Sequence, residues 1–100
     1  MAKKRVVITG IGTVNAVGSN IEEFWEGLKE GKSGIETITS FDISEFQTKI
    51  AGQVKNFDAS EYFDKKEIRR TTKFILYAGV AAGEAVKDSG LDIEKDAEDI

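Results

Sequence analysis

The chain contains no cysteine, no histidine and no proline, and each absence removes a class of chemistry or architecture. Without cysteine there is neither a disulfide framework nor a thiolate metal site. Without histidine the commonest metal ligand and the commonest general base are missing. No proline-rich linker divides the chain. No apolar run approaches the roughly 20 residues of a membrane-spanning helix. The basic start Met1–Arg5 leads into a short strand-like run and then glycines, not into the long apolar core of a secretory signal. The expectation is a cytoplasmic protein without a membrane partner. A net charge of −4 also lacks the overall basic footprint of a dedicated nucleic-acid binder.

What is present belongs to an ordinary globular chain, 40% apolar and 32% charged with the signs interspersed. Arg5-Val6-Val7-Ile8-Thr9-Gly10 reads as a short buried strand, because β-branched residues run unbroken up to a glycine. Gly10-Ile11-Gly12 then marks a tight turn. Ser19, with Glu22 three residues on, is the expected N-cap of a helix. Ile21, Phe24, Trp25 and Leu28 fall on one face of that helix, and Gly31 ends it. Strand, loop and helix in this order open an α/β fold. Ser33–Ile38 and Thr48–Val54 alternate briefly and suit two short strands. Asp58 with Glu61, and Asp64 with Glu67, are successive capping signatures. The second is expected to open one long helix running to about Ser89, with Gly90 as its stop.

That helix carries the most physical information. From Phe74 to Val86 its only charged residue is Glu84. A helix apolar on all sides is buried on all sides. Gly79 and Gly83 each cost about 1 kcal/mol relative to alanine, so they are expected to permit close approach of a neighbouring backbone. One hundred residues offer too little polypeptide to wrap it. Residues 1–100 are therefore expected to be the first part of a larger unit, the remainder lying outside this chain.

Three groups of residues invite functional readings. Gly10-Ile11-Gly12 suggests a dinucleotide-binding turn, but the fingerprint requires a third glycine at position 15, which is Asn. A structural turn is the better reading. Lys65, Lys66, Arg69, Arg70 and Lys73 share a helix face by their three- and four-residue spacings. Placed in the first turns of one long helix they would oppose its positive end. They constitute either a solvated face, partly neutralised by Asp64 and Glu67, or a docking surface for an anionic partner. The aromatic residues, from Phe24 and Trp25 to Phe74 and Tyr77, form no stacking platform and read as core.

With these residues in hand, the chain resembles the N-terminal region of the β-ketoacyl-acyl-carrier-protein synthase II family. The matching pieces are Arg5–Gly12, Trp25–Ile35, Phe41-Asp42, Thr48–Lys55, Tyr62–Arg70, Tyr77-Ala78 and Asp88–Leu91. Each is weak alone, whereas the ordered series is specific. The resemblance implies an α/β fold, the N-terminal portion of a thiolase-like fold, with a mixed sheet and helices packed on it. It implies fatty-acid elongation by decarboxylative Claisen condensation of an acyl thioester with malonyl-acyl-carrier-protein, in a homodimer and without a cofactor. The family's catalytic Cys and two His have no counterpart here, so no catalytic residue and no metal site is assigned. Lys66, Arg69 and Arg70 match basic positions that grip the acyl carrier protein, and with Lys65 they form the expected docking set. A non-catalytic partner of the same fold, resembling a chain-length factor, is the alternative. A nucleotide-binding α/β domain is disfavoured by the glycine spacing. Two departures stand out: Ala16 replaces a usual Pro, and Thr72 a frequent Asp.

Overall fold

The computed structural model describes residues 3–98. Its elements are helix α1 (Ile21–Lys29), strands β1 (Ile35–Thr37) and β2 (Ile50–Gly52), a 3₁₀ turn (Ala59–Glu61), and helices α2 (Lys65–Arg70) and α3 (Lys73–Ser89).

Helix α1 begins one residue later than expected. Asn20 is the N-cap, its side chain accepting the Glu23 N–H at 2.8 Å. Glu23 reaches back to accept the Ser19 N–H at 2.8 Å. The N-cap is therefore Asn20, not Ser19, and Glu23 reaches one residue beyond it; asparagine is as good an N-cap as serine. The helix ends in a Schellman motif. Gly31 adopts φ +74, its N–H donating to the Leu28 carbonyl and that of Lys32 to the Gly27 carbonyl.

β1 and β2 pair antiparallel with Glu36 opposite Ala51, so the two alternating segments do form strands, with each other. An ion pair between Lys55 and Glu36 at 3.0 Å lies across them. Gln53 closes the open end, accepting from the Thr39 and Ser40 N–H groups and donating to the Thr37 carbonyl. The Ala16 methyl sits against the buried Gly34, and Gly52 lies close by, so the loop before α1 supports the strand pair.

The expected first strand is not formed among the described residues. Arg5–Gly10 has no ladder partner, and Val6, Val7 and Ile8 are largely exposed. A strand needs a neighbour for its backbone groups, and both β1 and β2 are paired elsewhere. The segment instead lies on α3 through its glycines. A Cβ on Gly10 or Gly12 would run into the α3 backbone at Ala85 and Ala81 respectively. The Ile11 N–H donates to the Asp88 carboxylate at 3.1 Å. The space a phosphate would need at these glycines is thus taken by a helix, in keeping with the structural reading of the turn.

The long helix is two helices. Asp64 caps α2 by accepting the Glu67 N–H at 2.9 Å. At Thr71 the chain turns extended, and Thr72, also extended, is the N-cap of α3. Two successive β-branched residues with low helix propensity make this break. Gly90 stops α3 with φ +69, as expected.

Close backbone approach to α3 comes from Gly10 and Gly12, not from the helix's own glycines. Gly79 receives the edge of the Phe63 ring, and Gly83 meets nothing within 4 Å among the described residues. Leu76 and Val80 are the buried apolar core. Phe57 stacks on Tyr62 and meets Tyr77 edge-on with centroids 4.9 Å apart. Other aromatics depart from the expected core role: Trp25, Phe41, Phe46 and Phe74 are all more than half exposed.

Candidate functional site

The candidate site is the outer surface of α2. Its position follows from local chemistry. Upstream, Asp58 accepts the hydroxyl and N–H of Ser60 and caps the 3₁₀ turn. The Ser60 hydroxyl, and after it the Ser60 N–H, hold the Asp58 carboxyl below the usual carboxylate range. The turn delivers Phe63 onto Gly79 of α3, and Asp64 then starts α2. Ile68 is half-buried and shares a recess with Phe57, Leu76 and Tyr77. The helix is therefore held by its apolar side, and its other side faces outward.

At about 100° per residue, Lys65, Arg69, Lys66 and Arg70 follow one another around an arc of about 140°, with Ile68 on the far side. All four cations are exposed, and none forms an ion pair among the described residues. Asp64 is engaged as a cap and Glu67 lies outside the arc, and neither forms an ion pair with the four cations among the described residues.

The break at Thr71 alters two expectations. Arg69 and Arg70 occupy the last turn of α2, where a cation favours the negative end of the helix. Arg69 and Arg70 thus no longer oppose a helix dipole as one long helix would have required, whereas Lys65 and Lys66, in the first turn of α2, still do. Lys73 begins α3, so its four-residue relation to Arg69 no longer puts the two on one helix face. The structure brings Lys65, Lys66, Arg69 and Arg70 together and separates Lys73 from them. The signal for this was in the chain, since Thr71-Thr72 is a poor helix interior and a good start.

A convergent set of polar groups able to do chemistry is not found among the described residues. No group of three or more His, Cys, Asp or Glu among the described residues could hold a metal ion. Among the described residues no helix is long and apolar enough to cross a membrane. What the surface offers is a field: four cations on two turns, on a chain whose net charge is −4. Such a patch attracts an acidic surface over several ångströms and orients its approach.

Comparison with known proteins adds a lineage. Residues 3–99 match the family described as "Beta-ketoacyl synthase, N-terminal domain". The chain is 48% identical over 97 residues to 3-oxoacyl-[acyl-carrier-protein] synthase 2 of Vibrio harveyi, covering 96% of the chain and 23% of that relative. The enzymes of the same name from Coxiella burnetii and Synechocystis sp. are 45% and 41% identical, each over 95% of the chain and 23% of the relative. Among solved structures, the ishigamide ketosynthase/chain length factor superposes with a TM-score of 0.80 at 34% identity, over 93% of the chain and 23% of that structure's chain. The chain thus spans under a quarter of the length of the relatives it matches.

Proposed function

The chain belongs to the β-ketoacyl synthase family, through that family's N-terminal domain, and from this premise we propose that it is part of a fatty-acid condensing enzyme, a 3-oxoacyl-[acyl-carrier-protein] synthase II. The observation that carries the reading is the 48% identity, sustained over 97 residues, to a protein of that name. In the reaction an acyl group leaves its carrier thioester for a cysteine thiolate. The malonyl thioester then breaks its carboxylate carbon bond, releasing CO₂. The enolate carbon left behind attacks the acyl-enzyme carbonyl and expels the thiolate, giving a 3-oxoacyl thioester on the carrier. This needs a nucleophilic thiolate and donors that stabilise the enolate. With no Cys and no His, these 100 residues contribute neither. Their part is scaffold and docking: residues 1–100 form the beginning of the first thiolase-like half, and Lys65, Lys66, Arg69 and Arg70 receive the acidic acyl carrier protein. Support for the docking role comes from the exposure and unpaired state of the four cations among the described residues. The enzyme works in the cytoplasm as a homodimer, on acyl and malonyl thioesters, with no nucleic-acid or membrane partner.

The test is condensation by the full-length protein from acyl- and malonyl-carrier-protein, with the 3-oxoacyl product and the released CO₂ both measured. Product in stoichiometric step with CO₂ supports the reading. Absence of product from every acyl chain length overturns it. A second reading has one observation in its favour, the likeness to the ishigamide ketosynthase/chain length factor. In that reading the protein is a non-catalytic partner that limits chain length. The residue at the downstream nucleophile position separates the two: cysteine marks the catalyst, another residue the partner.

A further inference from the structure

Glu84 is the one charged residue between Phe74 and Val86, and a carboxylate placed among apolar neighbours is costly unless its oxygens are hydrogen-bonded. Both are. One oxygen accepts the Thr13 N–H at 3.0 Å, the other the Ile21 N–H at 3.0 Å. These donors lie at the two ends of the loop that connects the Gly10-Gly12 contact to α1. Ile21 is the first residue of α1, so its N–H is among those a helix start leaves without an internal partner. Asn20 takes the Glu23 N–H, and Glu84 adds an acceptor from α3 at the positive end of α1.

Between its two anchors the loop is tied to itself. The Asn15 side chain accepts from the Val17 and Gly18 N–H groups and donates to the Thr13 hydroxyl. The Asn15 N–H donates to the Gly18 carbonyl at 2.9 Å. A loop so knotted moves as one piece, and holding its ends places all of it. Ala16, at its crest, rests on Gly34 just before β1.

We infer that Glu84 is a latch: a single side chain that fixes the Thr13–Ile21 loop on α3, caps α1 from outside, and through Ala16 sets the seat of the β1–β2 pair. The geometry requires a group that only accepts, at two oxygens. Glutamine has one accepting oxygen, and its NH₂ would confront a backbone N–H. Asp88, one turn further along α3, is a separate tether for Ile11 alone.

Hydrogen exchange of the full-length protein, resolved to single amides, tests this, since exchange reports local opening. In Glu84→Gln at least one of the Thr13 and Ile21 amides, the one left facing the NH₂, is expected to exchange at least tenfold faster, and in Glu84→Leu both are. Val17 and Gly18, held by Asn15, should change far less, and Leu76 and Val80 on α3 not at all. In Asp88→Asn only the Ile11 amide should quicken. Unchanged exchange at Thr13 and Ile21 in Glu84→Gln overturns the latch, and so does an equal loosening of the whole chain, which would make Glu84 a packing residue. If Glu84→Gln does not fold, Glu84→Leu decides. A folded leucine variant with fast Thr13 and Ile21 amides supports the latch, and one with both amides still protected overturns it. None of these readouts depends on the condensation reaction.

Discussion

Helices α2 and α3 are separated by two threonines and expose opposite chemistry. α2 presents Lys65, Lys66, Arg69 and Arg70, and α3 presents Phe74, Ile75 and Val86, the first of them 71% exposed. Exposure means different things on the two. A solvated cation costs nothing to leave in water and acts at a distance. An apolar side chain in water forgoes about 25 cal/mol for each Å² left uncovered. The α2 surface is finished as it stands, and the α3 surface awaits a cover. One helix leaves cations in water and the other leaves apolar side chains there, on a chain that spans 23% of its Vibrio harveyi relative.

Neither helix carries a cysteine, so the largest expected effect is on activity. The 100-residue chain alone is expected to yield no 3-oxoacyl product and to resist labelling by a thioester-directed inhibitor. Mass spectrometry of both reports the outcome. Product or adduct from the pure chain would break the division between surface and chemistry altogether.

The next effect concerns the uncovered helix. The isolated chain is expected to bind a hydrophobic dye and to self-associate, because the outer face of α3 forms a contiguous apolar patch. Adding Ile75→Glu should lower dye binding in the isolated chain. The same change should sharply reduce soluble yield of the full-length protein, where it would bury a charge without a partner. Light scattering and soluble yield measure the two arms. A monodisperse, dye-silent chain with a cooperative melt would show that α3 needs no cover.

The polar helix is expected to give a smaller, salt-dependent effect. In the full-length protein, Arg69→Glu with Arg70→Glu should slow acyl transfer from carrier protein by about tenfold at low salt. Exposed charge contacts are each worth about 0.2–1 kcal/mol, and 1.4 kcal/mol is tenfold. The loss should lie mainly in association rate and shrink as salt is raised. Transfer from a small carrier-free thioester should be unchanged. Equal losses with both donors would make the patch structural, and no loss with either would make it a solvated face.

The two helices also differ in how much of them was legible from residues alone. The cations of α2, the apolar composition of α3 and the stops at Gly31 and Gly90 are local properties and were read correctly. The two alternating segments were legible as short strands and became β1 and β2, whereas their pairing with each other was not. Whatever depended on contact at long range was not. Arg5–Gly10 has strand composition, but a strand is a relation between two segments, and no partner lies among the described residues. The glycines of α3 advertised close approach, yet the approach is made by Gly10 and Gly12 from the other side. Serine and asparagine cap equally well, and what distinguishes them is that the Asn20 side chain, not that of Ser19, accepts the Glu23 N–H. For the candidate site, the four docking candidates on α2 were legible, and the break that sets Lys73 on another helix was not. Lys73 was assigned to the cluster until Thr71-Thr72 divided the helix.

The smallest expected effect is the sharpest measure of whether α3 is covered. Gly83 lies on its outer side, and a Cβ built there meets nothing within 4 Å among the described residues. Gly83→Ala in a helix interior gains about 1 kcal/mol from reduced backbone freedom in the unfolded chain. If nothing covers α3 in the isolated chain, that gain should appear undiminished as a stabilised helix. If a neighbouring element packs at Gly83 in the full-length protein, the added methyl meets it, and overpacking of this kind costs about 1–3 kcal/mol. The sign of the change in stability should therefore reverse between the two proteins. The helical signal of the isolated chain in dilute solution and urea melts of the full-length protein, each with and without Gly83→Ala, supply the four measurements needed. Stabilisation in both would show that the outer side of α3 stays open even in the whole enzyme, and the contrast between a finished α2 and an unfinished α3 would then fail at this position.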